Sequence, residues 1–328
     1  MDRLTEQVRA ALAAADDPDL TATDRAEMLM EIAMGLQQQP RSVDHLGSAV
    51  ELYDRALGLC PPGERLLRAR ITARRATAVQ ATPSDDTAHL EAARDAYQET
   101  IPVFAELGAP EEVAEAEMNH GLVLQALAGA GRARITDAIS AYQRALRTFD
   151  RARFPREFAI IQNNLATAFL SIPITDERGK LREALAVQAF EEGLKIVTLV
   201  DHPIEYAMLQ NNLGNALQYA SSSHLVENNL RALDAYDEAL KVRTRATMPA
   251  AYANTIANKA NCLWNLPAVD DRGVTGNLRQ ARAYYAEARE IFASHGEPAK
   301  ARSAGEACDQ IDRELLAADG AAVAGSAR

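Results

Sequence analysis

Asparagine is the residue type whose spacing in this chain would do chemistry. It stands nine positions after a proline at Asn119, Asn164, Asn212 and Asn258. Further amides lie beside these, at Asn163, Asn211 and Asn215, and at Asn254, Asn261 and Asn265. With about 100° of turn per residue, Asn254, Asn258, Asn261 and Asn265 share one arc of roughly 60° on a helix. Asparagine is a poor helix former, costing roughly 0.5–0.7 kcal/mol against alanine at each interior site. Four on one helix forfeit about 2–3 kcal/mol, and a face that only met water would be better served by Glu, Lys or Gln. An uncharged amide carries donors and an acceptor together, which suits a peptide main chain that presents both. The chemistry is recognition, with Tyr219 and Trp264 as aromatic anchors at the edge of the same face. The same amides would equally serve to bond neighbouring helices, and burial separates the two readings.

These residues need helices to hold them, and the helices recur. Prolines at 62, 110, 155, 203, 249 and 298 are spaced by 48, 45, 48, 46 and 49 residues. A small–aromatic–small trio runs in phase with them: Ala49/Tyr53/Ala56, Ala93/Tyr97/Thr100, Ala138/Tyr142/Ala145, Ala186/Phe190/Gly193, Ala232/Tyr236/Ala239 and Ala281/Tyr285/Ala288. Offsets of four and three put each trio on one helical stripe, where small residues admit a neighbouring helix and the ring fills the gap. Each unit therefore reads as two helices, A starting at the proline and B carrying the trio. In the A helix from Ile204, Tyr206, Leu209, Leu213 and Leu217 oppose Asn211, Asn212, Asn215 and Gln218. In the preceding unit Phe158, Ile161, Leu165 and Phe169 oppose Asn163, Asn164 and Thr167. The organisation expected is an N-terminal capping helix within 1–22, six repeats over 23–298, a capping helix at 299–319 and a disordered tail at 320–328. The A-to-B connections ITDERGK and VDDRGVTGN read as surface loops.

The run NNLGNAL followed by ALDAYDEAL resembles a tetratricopeptide repeat (TPR). Gly214, Ala232, Tyr236, Ala239 and the closing proline match the family's small, small, aromatic, small and proline positions. The usual unit has about 34 residues. Here the extra residues between Ala239 and Pro249 are expected to lengthen helix B by more than a turn. Long units of this kind resemble bacterial TPR arrays found beside CHAT-type protease domains. The resemblance implies an all-α, right-handed α-solenoid of antiparallel two-helix repeats. It also implies that the asparagine nine past each proline lines a concave groove, where family members bond an extended peptide's main chain or terminal carboxylate.

Composition narrows the functions. Forty-six acidic residues against 35 basic ones give a net charge of −11, which disfavours nucleic acid or an anionic membrane as partner. Two arginine-rich stretches, 64–75 and 131–156, interrupt that background. Converging, they would hold an acidic peptide or a nucleotide phosphate; balanced by carboxylates, they are a solvated face. The histidines, at 45, 89, 120, 202, 224 and 295, lack ligand spacing, and Cys60, Cys262 and Cys308 read as small buried hydrophobes. No phosphate-binding loop, GxGxxG, HExxH or GxSxG motif occurs, so no catalytic residue, metal or cofactor is expected. With neither a signal-peptide core nor an 18-residue apolar run, a cytoplasmic location is expected. The function expected is a non-enzymatic scaffold or adaptor binding a peptide or protein segment. The rivals are a ligand- or peptide-sensing regulatory subunit acting through a separate effector, an enzyme on an all-α scaffold, and a self-associating assembly subunit forming a homo-oligomer.

Overall fold

The computed structural model describes residues 8–326 except 11, 14, 16, 18, 39–42, 85, 174–177, 221–223 and 267–272. Among the described residues every regular element is a helix. These are α1 (Ala22–Gln38), α2 (Val43–Leu59), α3 (Arg65–Ala81), α4 (Ala88–Leu107), α5 (Pro110–Gly129), α6 (Ile135–Ala145), α7 (Pro155–Leu170), α8 (Arg178–Leu194), α9 (Pro203–Gln218), α10 (Leu225–Leu240), α11 (Pro249–Asn265), α12 (Gly273–Ser294) and α13 (Pro298–Ser326). Odd-numbered helices α1 to α11 are the A helices, α2 to α12 the B helices. The chain divides into two compact units, Met1–Arg153 and Phe154–Arg328. Within each, every helix packs on its successor, and successive A helices also approach one another directly: α1 on α3 and α3 on α5, α7 on α9 and α9 on α11.

Proline begins α5, α7, α9, α11 and α13, where its missing N–H costs no helical bond. Pro62 departs from the expectation, because it sits in a turn and α3 starts only at Arg65. Glycine ends two helices: Gly131 and Gly296 take φ of 70° and 75°. The next amides, of Arg132 and Glu297, then reach back to the carbonyls of Leu127 and Phe292.

The trio aromatics are the pins of the A/B pairs. Tyr53, Tyr97, Tyr142, Phe190 and Tyr236 are fully buried. Tyr142 lies against Gly121 and Tyr236 against Gly214, so closely that a Cβ would fall 2.5 Å and 2.6 Å from the ring. The hydroxyls are satisfied from the A helix. Tyr53 donates to Gln37 and Tyr142 to Gln125, while Tyr97 pairs with Thr77. Tyr236 reaches both Asn215 and Gln218 at 2.7 and 2.9 Å.

The extra residues after three B helices do not lengthen them. Helices α6, α8 and α10 stop at Ala145, Leu194 and Leu240, and turns lead to the next proline. Asp150, Thr198 and Thr244 accept hydrogen bonds from amides two or three residues ahead, which stabilises the turn against the helix. Phe149 and Val197, each four past the trio's last small residue, tuck under the turn and are buried.

Two further boundaries shift. The helical trace begins at 178 and 273, inside the two stretches read as surface loops, whose remaining parts lie outside the described residues. Helix α13 runs on through 320–326, where a disordered tail was expected; Ala321, Ala322 and Ala324 offset part of the helix cost of Gly320 and Gly325. Of the N-terminal helix expected within 1–22, residues 8–10, 12, 13 and 15 are helical, and Ala15 is buried against α1 and α2 residues; residues 1–7, 11, 14, 16 and 18 lie outside the described residues.

Gly214→Ala drives a methyl group into a fully buried ring whose hydroxyl is held by amides of the same A helix, and is expected to lower the unfolding free energy by about 1–3 kcal/mol, read by urea melts. His120 is buried with both ring nitrogens unpartnered, its ring 6.3 Å from that of Tyr97. Burial holds its pKa below the usual value; the fields of Glu117 and Asp137 oppose this and those of Arg144 and Arg94 add to it. The unfolded chain then takes up the proton first, so stability is full above a pH of about 6.5 and falls below it. Melting temperatures followed into mildly acidic pH should fall less steeply for His120→Leu than for the wild type.

Candidate functional site

The amides of α7, α9 and α11 form a ladder. Asn258 Nδ2 donates to Asn211 Oδ1 at 3.3 Å, and Asn211 Nδ2 to Asn212 Oδ1 at 3.0 Å. Asn212 Nδ2 then donates to Asn163 Oδ1 at 2.7 Å, and Asn163 Nδ2 to Asn164 Oδ1 at 3.2 Å. The asparagine nine past one proline thus donates to the asparagine eight past the preceding proline, and adjacent pairs pass the chain across each helix. Asn163, Asn164 and Asn211 are only 7, 7 and 6% exposed. The seam expected to open onto a peptide is sealed between A helices over most of its length. The physical reason is the close A-to-A approach, which leaves each amide a neighbouring amide as its nearest partner. Asn164 Nδ2 is buried without one.

The remaining expected site residues divide. Asn215 accepts from Tyr236, so it faces the B helix. Trp264 donates its indole N–H to Glu314 at 2.9 Å, and its ring stands edge-on to Tyr285. It holds α13 in place, because a partly buried indole needs an acceptor and α13 supplies one. Tyr219 is 68% exposed, and its hydroxyl accepts from Asn261 at 2.6 Å. Asn265 and Asn254 donate within their own helix, to the carbonyls of Asn261 and Ala250. Asn119, in the other unit, is half-buried and lines a cleft between α1, α3, α4 and α5.

The arginines do not gather into a basic surface. Arg65, Arg70, Arg75 and Arg144 make two-pronged pairs with Glu106, Glu112, Asp54 and Glu117. Arg153 pairs with Glu111 and Arg156 with Glu205. Each stretch is mostly neutralised arginine by arginine.

What stays open lies at the ladder's last rung. Position eight past Pro249 is Ala257, so the ladder stops, and Asn254 and Asn258 form one wall of a cleft of about 370 Å³ between α11 and α13. Tyr285 and Phe292 contribute rings, and Ser303 and Lys300 stand on the far side. Burial pushes the Tyr285 phenol well above its usual value, so the ring enters as a neutral, apolar surface. Lys300 pairs with Glu297 and lies 5.4 Å over the Phe292 ring. Behind the wall, the half-buried Arg243, its pKa lowered by burial, donates to Thr255 Oγ1 at 3.0 Å. The α13 contribution went unread in the sequence, where that helix appeared only as a cap; the signal was the small-residue stripe Ala299, Ser303, Ala307. Among the described residues no His, Cys, Asp and Glu cluster is suited to a metal.

The ladder makes a contrast testable. Asn211→Ala removes the central rung and strands its neighbours, and should cost about 1–3 kcal/mol in chemical denaturation. Asn265→Ala removes a bond to its own helix and gains helix preference, so it should change stability by no more than about 0.5 kcal/mol.

No family model matches the chain, and no curated protein does. Solved structures do. BtubC (BKLC) from P. vanneervenii is 18% identical with a TM-score of 0.51, over 76% of this chain and 93% of that one. A signal-transduction ATPase of the STAND type with a tetratricopeptide repeat sensor, from Pyrococcus horikoshii, is 16% identical with a TM-score of 0.55, over 86% of this chain. This chain spans 40% of the length of that ATPase. At such identities the likeness is one of fold. The chain is an all-α solenoid of TPR-like helical repeats.

Proposed function

We propose that the protein is a non-enzymatic interaction scaffold that docks an extended segment of a protein partner in the cleft between α11 and α13. The observation that carries this is the unspent amide wall. Asn254 and Asn258 both line the cleft, and neither side-chain oxygen accepts a hydrogen bond among the described residues. Residues four apart on a helix rise about 6 Å. Alternate N–H groups of an extended chain repeat at about 6.6–6.8 Å and point the same way. Two amide oxygens at that spacing accept from two such groups, while Tyr285 and Phe292 take an apolar side chain between them. Asn261, Asn265 and Tyr219 continue the polar edge toward the end of α11. The reading needs no cofactor and no catalytic group, and with it we propose a cytoplasmic location. No described helix is long and apolar enough to cross a membrane.

A second reading, a peptide-sensing regulatory subunit acting through a separate effector, uses the same cleft. It draws on the likeness to the STAND protein, whose repeats are described as a sensor.

Ser303→Arg fills the cleft from an exposed position on α13 and should leave stability within about 0.5 kcal/mol. Affinity purification with wild-type and Ser303→Arg baits should return a partner with the first and not with the second. A peptide from that partner should then bind the wild type at least tenfold more tightly in calorimetry. Equal recovery by both baits refutes the cleft as the docking site.

A further inference from the structure

A second cleft lies in the other unit, between α1, α3, α4 and α5, with a volume of about 240 Å³. It is smaller than the 300–1,000 Å³ typical of drug-sized ligands. Its charges are unevenly spent. Arg70 binds both oxygens of Glu112 at 2.7 and 3.1 Å, and Glu112 also accepts the Ala109 amide, so this pair is closed. Arg74, half-buried one turn further along α3, makes no hydrogen bond or ion pair among the described residues. Its field reaches Glu112 and Tyr53 through space. Glu115 lines the same cleft from α5, likewise without a hydrogen bond or ion pair. Its field is felt at the Tyr97 phenol.

We propose that this cleft binds a small zwitterion of the free amino-acid class, its carboxylate on Arg74 and its ammonium on Glu115. A guanidinium offers a carboxylate two parallel N–H groups, and Arg74 has its fork unspent. Gln37 spends its carbonyl oxygen on Tyr53, which leaves the amide NH₂ to donate to the same carboxylate. Asn119, four residues past Glu115 on α5, adds an amide oxygen for the ammonium. Met34, Ala73, Phe104 and Ala116 give the cleft an apolar wall, which selects an aliphatic side chain. A ligand of either single charge leaves one of the two ionised groups unanswered, whereas a zwitterion answers both. This site is independent of the α11/α13 cleft, which lies in the other unit.

The test is a thermal-shift screen of the full-length protein against free L-amino acids at millimolar concentration, followed by calorimetry of the best binder. Aliphatic amino acids are expected to raise the melting temperature. N-acetylation or amidation of the binder should each weaken binding at least tenfold, and so should Arg74→Gln and Glu115→Gln. Neither side chain holds another in place, so both variants should melt as the wild type does without ligand. The proposal is overturned if no amino acid shifts the melt, or if the blocked forms or either variant bind as well as the originals. Tighter binding of trialanine than of any free amino acid would overturn it too, by making the cleft a peptide site.

Discussion

A buried amide has to be paired, and in α7, α9 and α11 this requirement fixes how neighbouring repeats meet. The middle rung, on α9, serves two interfaces. The amide eight past a proline accepts from the following repeat, and the amide nine past it donates to the preceding one. The bonds run head to tail, so each polarises the next. A slide of α9 against α7 that broke the 2.7 Å bond from Asn212 to Asn163 would strand amide groups in a water-poor seam, at a cost of about 1–3 kcal/mol for each stranded group. Apolar packing alone tolerates small slides. The ladder therefore supplies register, while burial supplies most of the adhesion.

The B helices are held by a different device. A ring from the trio enters the space left by a small A-helix residue, and its hydroxyl finds an amide or hydroxyl on that helix. The polar half of each A helix is thus shared: Asn215 and Gln218 are committed to Tyr236, and Asn211 and Asn212 to flanking A helices. The turn after the B helix completes the joint. Phe149 and Val197 fill the place beneath it, while the equivalent Arg243 donates to Thr255, whose hydroxyl lies 3.1 Å from Asn211 Oδ1. An apolar plug in two repeats becomes in the third a polar link to the ladder.

The fold was legible because its determinants are local and repeated. A proline at a helix start and a trio at offsets of four and three have one physical reading each, and six in-phase copies reinforce it. The ends of the B helices were not legible from the repeat length, since extra residues continue a helix or fold into a capped turn according to where Asp150, Thr198 or Thr244 falls. The site was half legible. Asparagine at helix-interior positions announces that an amide is needed, and the same preference serves a peptide or an adjacent helix. Only the A-to-A approach decides between them, and that is a property of the stack, not of any one helix. Trp264 carried a similar ambiguity, settled by Glu314 fifty residues away.

The open amides follow from the ladder's own rule. To accept from a following repeat, a helix needs an amide eight past its proline, and α11 has Ala257 there. The next helix, α13, correspondingly offers Ala299, Ser303 and Ala307, too small to fill the space beside it. Asn258 therefore keeps its bond to Asn211 and lines the cleft between α11 and α13, its side-chain oxygen accepting no hydrogen bond among the described residues. In the docking we propose, an extended segment would supply the N–H groups that a following A helix supplies elsewhere, and so would continue the stack by one layer of different chemistry. A solenoid built this way needs no dedicated recognition element, because interrupting the pattern that joins its repeats leaves an acceptor face at the point of interruption.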